Sequence, residues 1–171
     1  MKKWLPVSIC LILICIALPA RGQMPPHLWS SLYGGSGDDN SWAMVTDSDG
    51  NVLISSEFNG TMDFGGGTFT SAGGTDIYLA KFDINGTHLW SKTFGDGSDQ
   101  AGRAVEIAPN GDILICGGFQ GSVDFGGGPL NSSGNMDIFM ARFDSNGNHL
   151  WSRRFCHRSI DECVDTAIDN Y

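Results

Sequence analysis

With 171 residues, 24 glycines and 17% charged side chains, the chain is about one ordinary domain's worth of turn-rich polypeptide. Its acids are skewed, 16 Asp against 3 Glu. Asp bonds the nearby backbone in turns whereas Glu favours helices, so many turns and little helix are expected. Acidic residues outnumber basic ones 19 to 10, a balance that repels phosphate backbones and excludes nucleic acid as a partner.

The first elements belong to a leader. Lys2 and Lys3 precede an apolar run from Trp4 to Leu18, and the small residues Ala20 and Gly22 come after it. This is the pattern of an export signal over residues 1–22, cleaved after Ala20 or Gly22. The run is short for a membrane span, which needs ~20 residues; an uncleaved N-terminal anchor is the alternative. Cys10 and Cys15 lack the small residues a lipoprotein signal places before its cysteine, so export without lipidation is expected. Without Lys2, Lys3 and Arg21, the remainder holds 7 basic and 19 acidic residues, a net charge of −12.

A repeat organises the rest of the chain. "HLWS" occurs at His27–Ser30, His88–Ser91 and His149–Ser152, 61 residues apart each time. "DFGGG" recurs at Asp63–Gly67 and Asp124–Gly128, and "DIYLAKFDINGT" (Asp76–Thr87) matches "DIFMARFDSNGN" (Asp137–Asn148). Residues 31–91 and 92–152 align without a gap and share 26 of 61 positions.

Within a unit the apolar period is two, which predicts strands. Ala104–Ala108 and Asp112–Phe119 flank Asn110-Gly111, and Asp49-Gly50 stands at the same place in the first unit. Asn85-Gly86 joins Ile77–Phe82 to His88–Phe94, and Asn146-Gly147 joins Ile138–Phe143 to His149–Phe155. Such pairs predict type I′ turns and hence two hairpins, or four antiparallel strands, per repeat. "TMDFGGGTFT" and "SVDFGGGPLN" read as a small additional hairpin between them. Tandem four-stranded units predict all-β propeller blades, with the Trp29, Trp90 and Trp151 strands outermost and the Ala104 strand innermost. A β-solenoid, the other all-β reading, usually repeats over a shorter period.

The pattern W-S-x-x-F-G … N-G … F-x-G-x-x-D-F-G-G-G … D-I-F-x-A-x-F-D-x-N-G-x-H-L-W, over Leu28 to about Phe155, resembles the bacterial seven-bladed β-propeller repeats labelled SBBP. The resemblance implies a propeller fold and an exported location, and it carries over no catalytic residue. The expected divisions are a signal at 1–22, an outer strand of a preceding or closing blade at 23–30, repeats at 31–91 and 92–152, and a truncated repeat at 153–171. Closed propellers use ~4–8 blades. Two whole units with partial flanking ones therefore form an open array. It is expected to be completed by further blades of a longer chain or, alternatively, by self-association.

Residues recurring in every blade are expected to be scaffold, which covers His27, His88, His149 and the three tryptophans of "HLWS". A sugar-stacking role for those tryptophans is the alternative. Asp47, Asp49 and Asn51, and likewise Asp144, Asn146 and Asn148, present oxygens at alternating positions that suit calcium. Turn chemistry explains the same residues without metal, because the glycine comes after the second position rather than the third. "DFGGG" lacks the Lys-Ser/Thr pair and helix of a phosphate loop and reads as a tight bend.

The third unit departs from the repeat where "FCHRSIDECVD" replaces "FGDGSDQAG". Cys156 and Cys163, standing at Gly95 and Gly102 of the preceding unit, are expected to form a loop-closing disulfide that leaves Cys116 unpaired and buried. Zinc held by Cys156, His157 and Cys163 is the second reading. A Cys156–His157 nucleophile is the third, disfavoured because neighbours on an extended segment point apart.

The inner-strand starts, Trp42, Ala43, Gly102, Arg103 and Ala104, offer no carboxylate pair, His cluster or oxyanion site. The sequence thus predicts a secreted or cell-surface scaffold without catalytic residues, binding a protein or polysaccharide at a propeller face and free of the membrane after signal cleavage. An enzyme or carbohydrate-binding protein with its site in further blades is the alternative.

Overall fold

The computed structural model describes residues 10–11, 27–35, 37–156, 163 and 165–167. Every regular element among them is a strand. Cys10–Leu11 (β1), inside the segment read as a leader, pairs antiparallel with Leu32–Tyr33 (β2). The rest of that leader lies outside the described residues. Of the flanking strand expected at 23–30, residues 23–26 lie outside the described residues and residues 27–30 form no strand.

The first blade runs through Ala43–Thr46 (β3), Val52–Phe58 (β4), a small hairpin of Thr61–Asp63 (β5) and Thr68–Thr70 (β6), then Asp76–Phe82 (β7) and His88–Phe94 (β8). The second repeats it as Gln100–Ile107 (β9), Ile113–Phe119 (β10), the hairpin Ser122–Asp124 (β11) and Pro129–Asn131 (β12), then Asp137–Phe143 (β13) and His149–Phe155 (β14). The four-stranded sheets have the orders β3-β4-β7-β8 and β14-β13-β10-β9 and are antiparallel throughout. The tryptophan strands β8 and β14 form one edge of each sheet, as expected. The sheets are not closed into a barrel, which is the arrangement of an open, propeller-like array. Each outer strand continues to Phe94 or Phe155, so the blades end a few residues beyond the repeat boundaries at Ser91 and Ser152.

Strands β4 and β7 are buried along their whole length, because both faces of the sheet are covered. Val52, Ile54, Phe58, Met62, Phe64, Tyr78, Ala80 and Phe82 form one cluster, on which Trp29 and Tyr33 pack. Leu53, Ile77 and Leu79 point the other way and join Ile113, Ile115, Phe119, Val123, Phe125, Phe139, Ala141 and Phe143 of the second blade, on which Trp90 and Phe94 pack. All eight first-cluster residues, and both packed aromatics, have their counterpart 61 positions later. The repeat in the sequence is therefore a repeat of the core. Removing a buried ring such as Phe143 should cost about 3–5 kcal/mol.

The Asn-Gly and Asp-Gly pairs sit at the hairpin tips, but not in type I′ turns. That turn needs positive φ at both central residues, and no non-glycine residue has it among the described residues. Only the glycines do, at +80° for Gly50, +81° for Gly86, +85° for Gly111 and +77° for Gly147. Gly86 N donates to Asp83 O at 2.9 Å and Asp83 N to Thr87 O at 2.8 Å, which makes a type I turn closed by a glycine bulge. The Gly111 turn, opened by Ala108, has the same bonds, so the glycine bulge does not require an aspartate; where one opens the turn, it reinforces the geometry. Asp83 Oδ1 accepts the N–H of Asn85 at 2.8 Å and of Thr87 at 2.7 Å, which draws the intervening backbone into right-handed geometry.

Gly147 tests this arrangement. A Cβ there would lie 2.8 Å from Lys92 Cε and 3.2 Å from the Trp90 ring. Gly147→Val should lower stability by more than ~1 kcal/mol, since a β-branched residue resists positive φ. An unchanged denaturant midpoint in the full chain would contradict the turn assignment.

Candidate functional site at the inner-strand edge

The repeated polar and aromatic residues are taken up by the scaffold. Trp29 Nε1 donates to Ile84 O of the first blade at 3.0 Å, and the Trp90 ring lies against the Gly147 turn of the second. These tryptophans sit between successive units, as expected of structural residues. His88 and His149 stack edge-on against Phe82 and Phe143. Their rings occupy the space above Gly66 and Gly127, where an added Cβ would fall 2.3 Å from Cε1. The central glycine of "DFGGG" is thus a seat for the histidine of "HLWS".

In the turns considered for calcium, protein donors surround the carboxylates. Asp47 Oδ1 accepts the N–H of Asp49 at 3.0 Å and of Asn51 at 2.9 Å. Its Oδ2 accepts from Asn51 Nδ2 at 2.9 Å and pairs with Lys81 Nζ at 2.9 Å. Burial opposes ionisation of Asp47, but the bonds from Asn51 and Lys81 outweigh it and hold the carboxyl below its usual range. A calcium ion there would have to displace an ammonium group. Asp144 is engaged likewise by Asn146 and Asn148, and its carboxyl is also held low. Among the described residues no group of three His, Cys, Asp or Glu is arranged to hold a metal.

The cysteines correct the sequence reading. Cys163 is bonded to Cys116, with Cα atoms 6.0 Å apart, while Cys156 is exposed and free. The expected Cys156–Cys163 bridge is therefore not formed, and Cys163 is not available as a thiolate for the zinc set; His157 lies outside the described residues. The repeat supplies the physical reason. At the contact between the first two blades, a Cβ on Gly102 would lie 2.5 Å from Ser55 Oγ. Sixty-one residues on, those two positions are Cys163 and Cys116, so the inter-blade contact brings the sulfurs together.

The residues that do not repeat meet at the starts of the inner strands. Pairing of β10 with β9 shifts between Cys116 and Gly117, which face Ala104 and Gly102, so Arg103 is the extra residue of a β-bulge. Bulges re-aim side chains. Here the Arg103 guanidinium lies 4.2 Å from the centre of the Trp42 ring, a cation–π stack across the two blades. Trp42 is itself the counterpart of Arg103, 61 residues earlier. Its Nε1 donates to Glu57 Oε1 at 2.8 Å, and Asn40 Nδ2 donates to the same oxygen at 3.0 Å. Arg103 Nη1 stands 3.9 Å from it. Glu57 is 5% exposed and Trp42 55%. Sequence reasoning placed Trp42 and Arg103 at this edge but did not join them to Glu57 and Asn40, because the bulge leaves no sequence signature.

No known family's profile matches the chain. It is similar to Regulatory protein FlaEY of Caulobacter vibrioides, 29% identical over 132 residues, covering 72% of this chain and 14% of that protein. It is also similar to Uncharacterized WD repeat-containing protein L264 of Acanthamoeba polyphaga mimivirus, 22% identical over 144 residues, covering 74% of this chain and 10% of that protein. The chain thus spans only about a seventh and a tenth of these relatives' lengths. The WD-repeat likeness and the two antiparallel blades fit a propeller-like repeat protein.

Two measurements test these assignments. Peptide mapping without reduction should link the Cys116 and Cys163 peptides and find Cys156 alkylated; a Cys156–Cys163 link would overturn the pairing. On the chain-entropy account, closing a loop over a separation of 47 residues stabilises by about 4 kcal/mol, so Cys163→Ser should lower the denaturant midpoint clearly. Asp76 supplies the second. Burial pushes its carboxyl above the usual range, with Asp96 adding to this against the Ala72 N–H bond, and its Oδ1 has no partner. A raised folded value means that ionised Asp76 opposes folding at neutral pH. Asp76→Asn should therefore raise stability at pH 7, and the gain should shrink as pH falls through the raised value and vanish below about 3.9, the ordinary Asp value. A gain of equal size at pH 3 would refute this.

Proposed function

We propose that the chain is an exported, non-catalytic binding scaffold of SBBP-type repeats, which presents the inner-strand edge of its blades to a protein or polysaccharide. One observation carries the reading: the repeated polar side chains are taken up by turns and inter-blade contacts, while Asn40, Trp42, Glu57 and Arg103 gather without repetition beside an exposed indole. The basic and apolar leader pattern supports export. A disulfide between blades also suits an oxidising compartment.

Expression in a bacterial host, with N-terminal sequencing of the exported product, tests the location. The product should begin at Arg21 or Gln23; an intact, cytoplasmic chain would refute export. Incubation with chromogenic glycosides, esters and phosphates should give no turnover above buffer. Turnover that disappears in Arg103→Ala or Glu57→Gln would replace the scaffold reading with an enzyme.

A further inference from the structure

The cluster of Asn40, Trp42, Glu57 and Arg103 joins the two blades and still leaves part of an indole exposed. We propose that it is a binding subsite for a neutral saccharide, with a pyranose ring laid on the open part of the Trp42 indole and its hydroxyls turned to Arg103 and Asn40. This rests on the binding-scaffold reading above and names the chemistry of its ligand.

Trp42 is more than half exposed, yet its indole is not free to swing, because its N–H is held by buried Glu57 at 2.8 Å and Arg103 is stacked on the ring at 4.2 Å. A rigid, solvated aromatic face is pre-organised for stacking, since little conformational freedom is lost when a ligand covers it. Arg103 is delivered by the bulge, and its closest carboxylate oxygen, 3.9 Å away, is too far for a hydrogen bond. Its N–H donors thus make no hydrogen bond to the described residues. Glu57 Oε2 is buried, so the carboxylate holds the indole in place rather than meeting a ligand. The site therefore offers unused donors and an apolar plate.

Charge decides among ligands with such complementarity. Arg103 and Glu57 cancel within the cluster, and the chain as a whole carries a net −9, so an anion gains nothing from the surrounding field. A cation would have to compete with the guanidinium for Glu57. A purely apolar ligand would strip water from the Arg103 donors without replacing it. A neutral sugar meets all three conditions, because its axial C–H face suits the indole and each hydroxyl both donates and accepts.

The exported chain should be titrated by calorimetry with neutral pentasaccharides of β-1,4-glucose, α-1,4-glucose, β-1,4-mannose and β-1,4-xylose, with trigalacturonate as an anionic comparison. At least one neutral sugar should give saturable binding, about tenfold or more weaker in Trp42→Ala and in Arg103→Ala. Leu89→Ala, an exposed position on the outer strand, should bind as the parent does. Circular dichroism and thermal melting establish that each variant is folded. Absence of binding by every neutral sugar at millimolar concentration, equal binding by Trp42→Ala, or tighter binding of trigalacturonate would overturn the assignment. Export without turnover leaves the scaffold reading standing in each of those cases, whereas cytoplasmic retention or turnover removes that reading independently.

Discussion

The contact on which the structure depends is the insertion of an outer-strand aromatic pair into the next blade. Tyr33 stacks on Phe82 at 5.1 Å and Phe94 on Phe143 at 5.6 Å, each beside the tryptophan four residues before it. A single four-stranded sheet of this composition is apolar on both faces and needs a neighbour on each. The aromatic pair and inner strand β9 provide that cover between the two blades, which is why β4, β7 and β10 read as continuous buried runs rather than half-polar strands. Tight approach is the consequence. A glycine, Gly102, stands against Ser55 where a Cβ would fall 2.5 Å from its Oγ.

The same packing constrains the polar residues. Carboxylates at the hairpin tips are satisfied locally and held ionised by the backbone they fold, as at Asp83 and Asp144. Buried carboxylates away from the tips are less well served. Asp39, Asp76 and Asp137 each leave one buried carboxylate oxygen without a partner, and burial raises Asp39 and Asp76. At the position of Asp39, the second blade has Gln100, whose amide bonds Asp96 and Gln120. One substitution at a repeated position thus separates a satisfied site from a strained one.

Much of this was legible in the sequence because the repeat is long and gapless. Strand number, hairpin order, the outer position of the tryptophans and the small "DFGGG" hairpin are all consequences of period-two patterning and the spacing of glycines. What was not legible depends on contacts between blades or on backbone detail. Asn-Gly is compatible with more than one turn, and the pair of backbone bonds that closes each glycine bulge, at Asp83, Ala108 and Asp144 alike, is visible only in the structure. Proximity in sequence favours pairing Cys163 with Cys156, whereas the touching positions are those of Gly102 and Ser55 a whole unit earlier. The bulge at Arg103 adds one residue to a strand whose length no sequence signal set.

Each 61-residue unit carries both halves of the same joint, since it begins with a surface that receives an aromatic pair and ends with an aromatic pair to insert. The aromatic halves match whichever units they come from, although the Gly102–Ser55 contact is replaced by a disulfide one unit on. Tandem duplication of any stretch of that length, wherever its ends fall, would add a blade whose two faces already fit their neighbours, and deletion of one would leave the remaining joint intact. Blade number in such a gene can therefore change in a single recombination event, with no compensating substitution in the core.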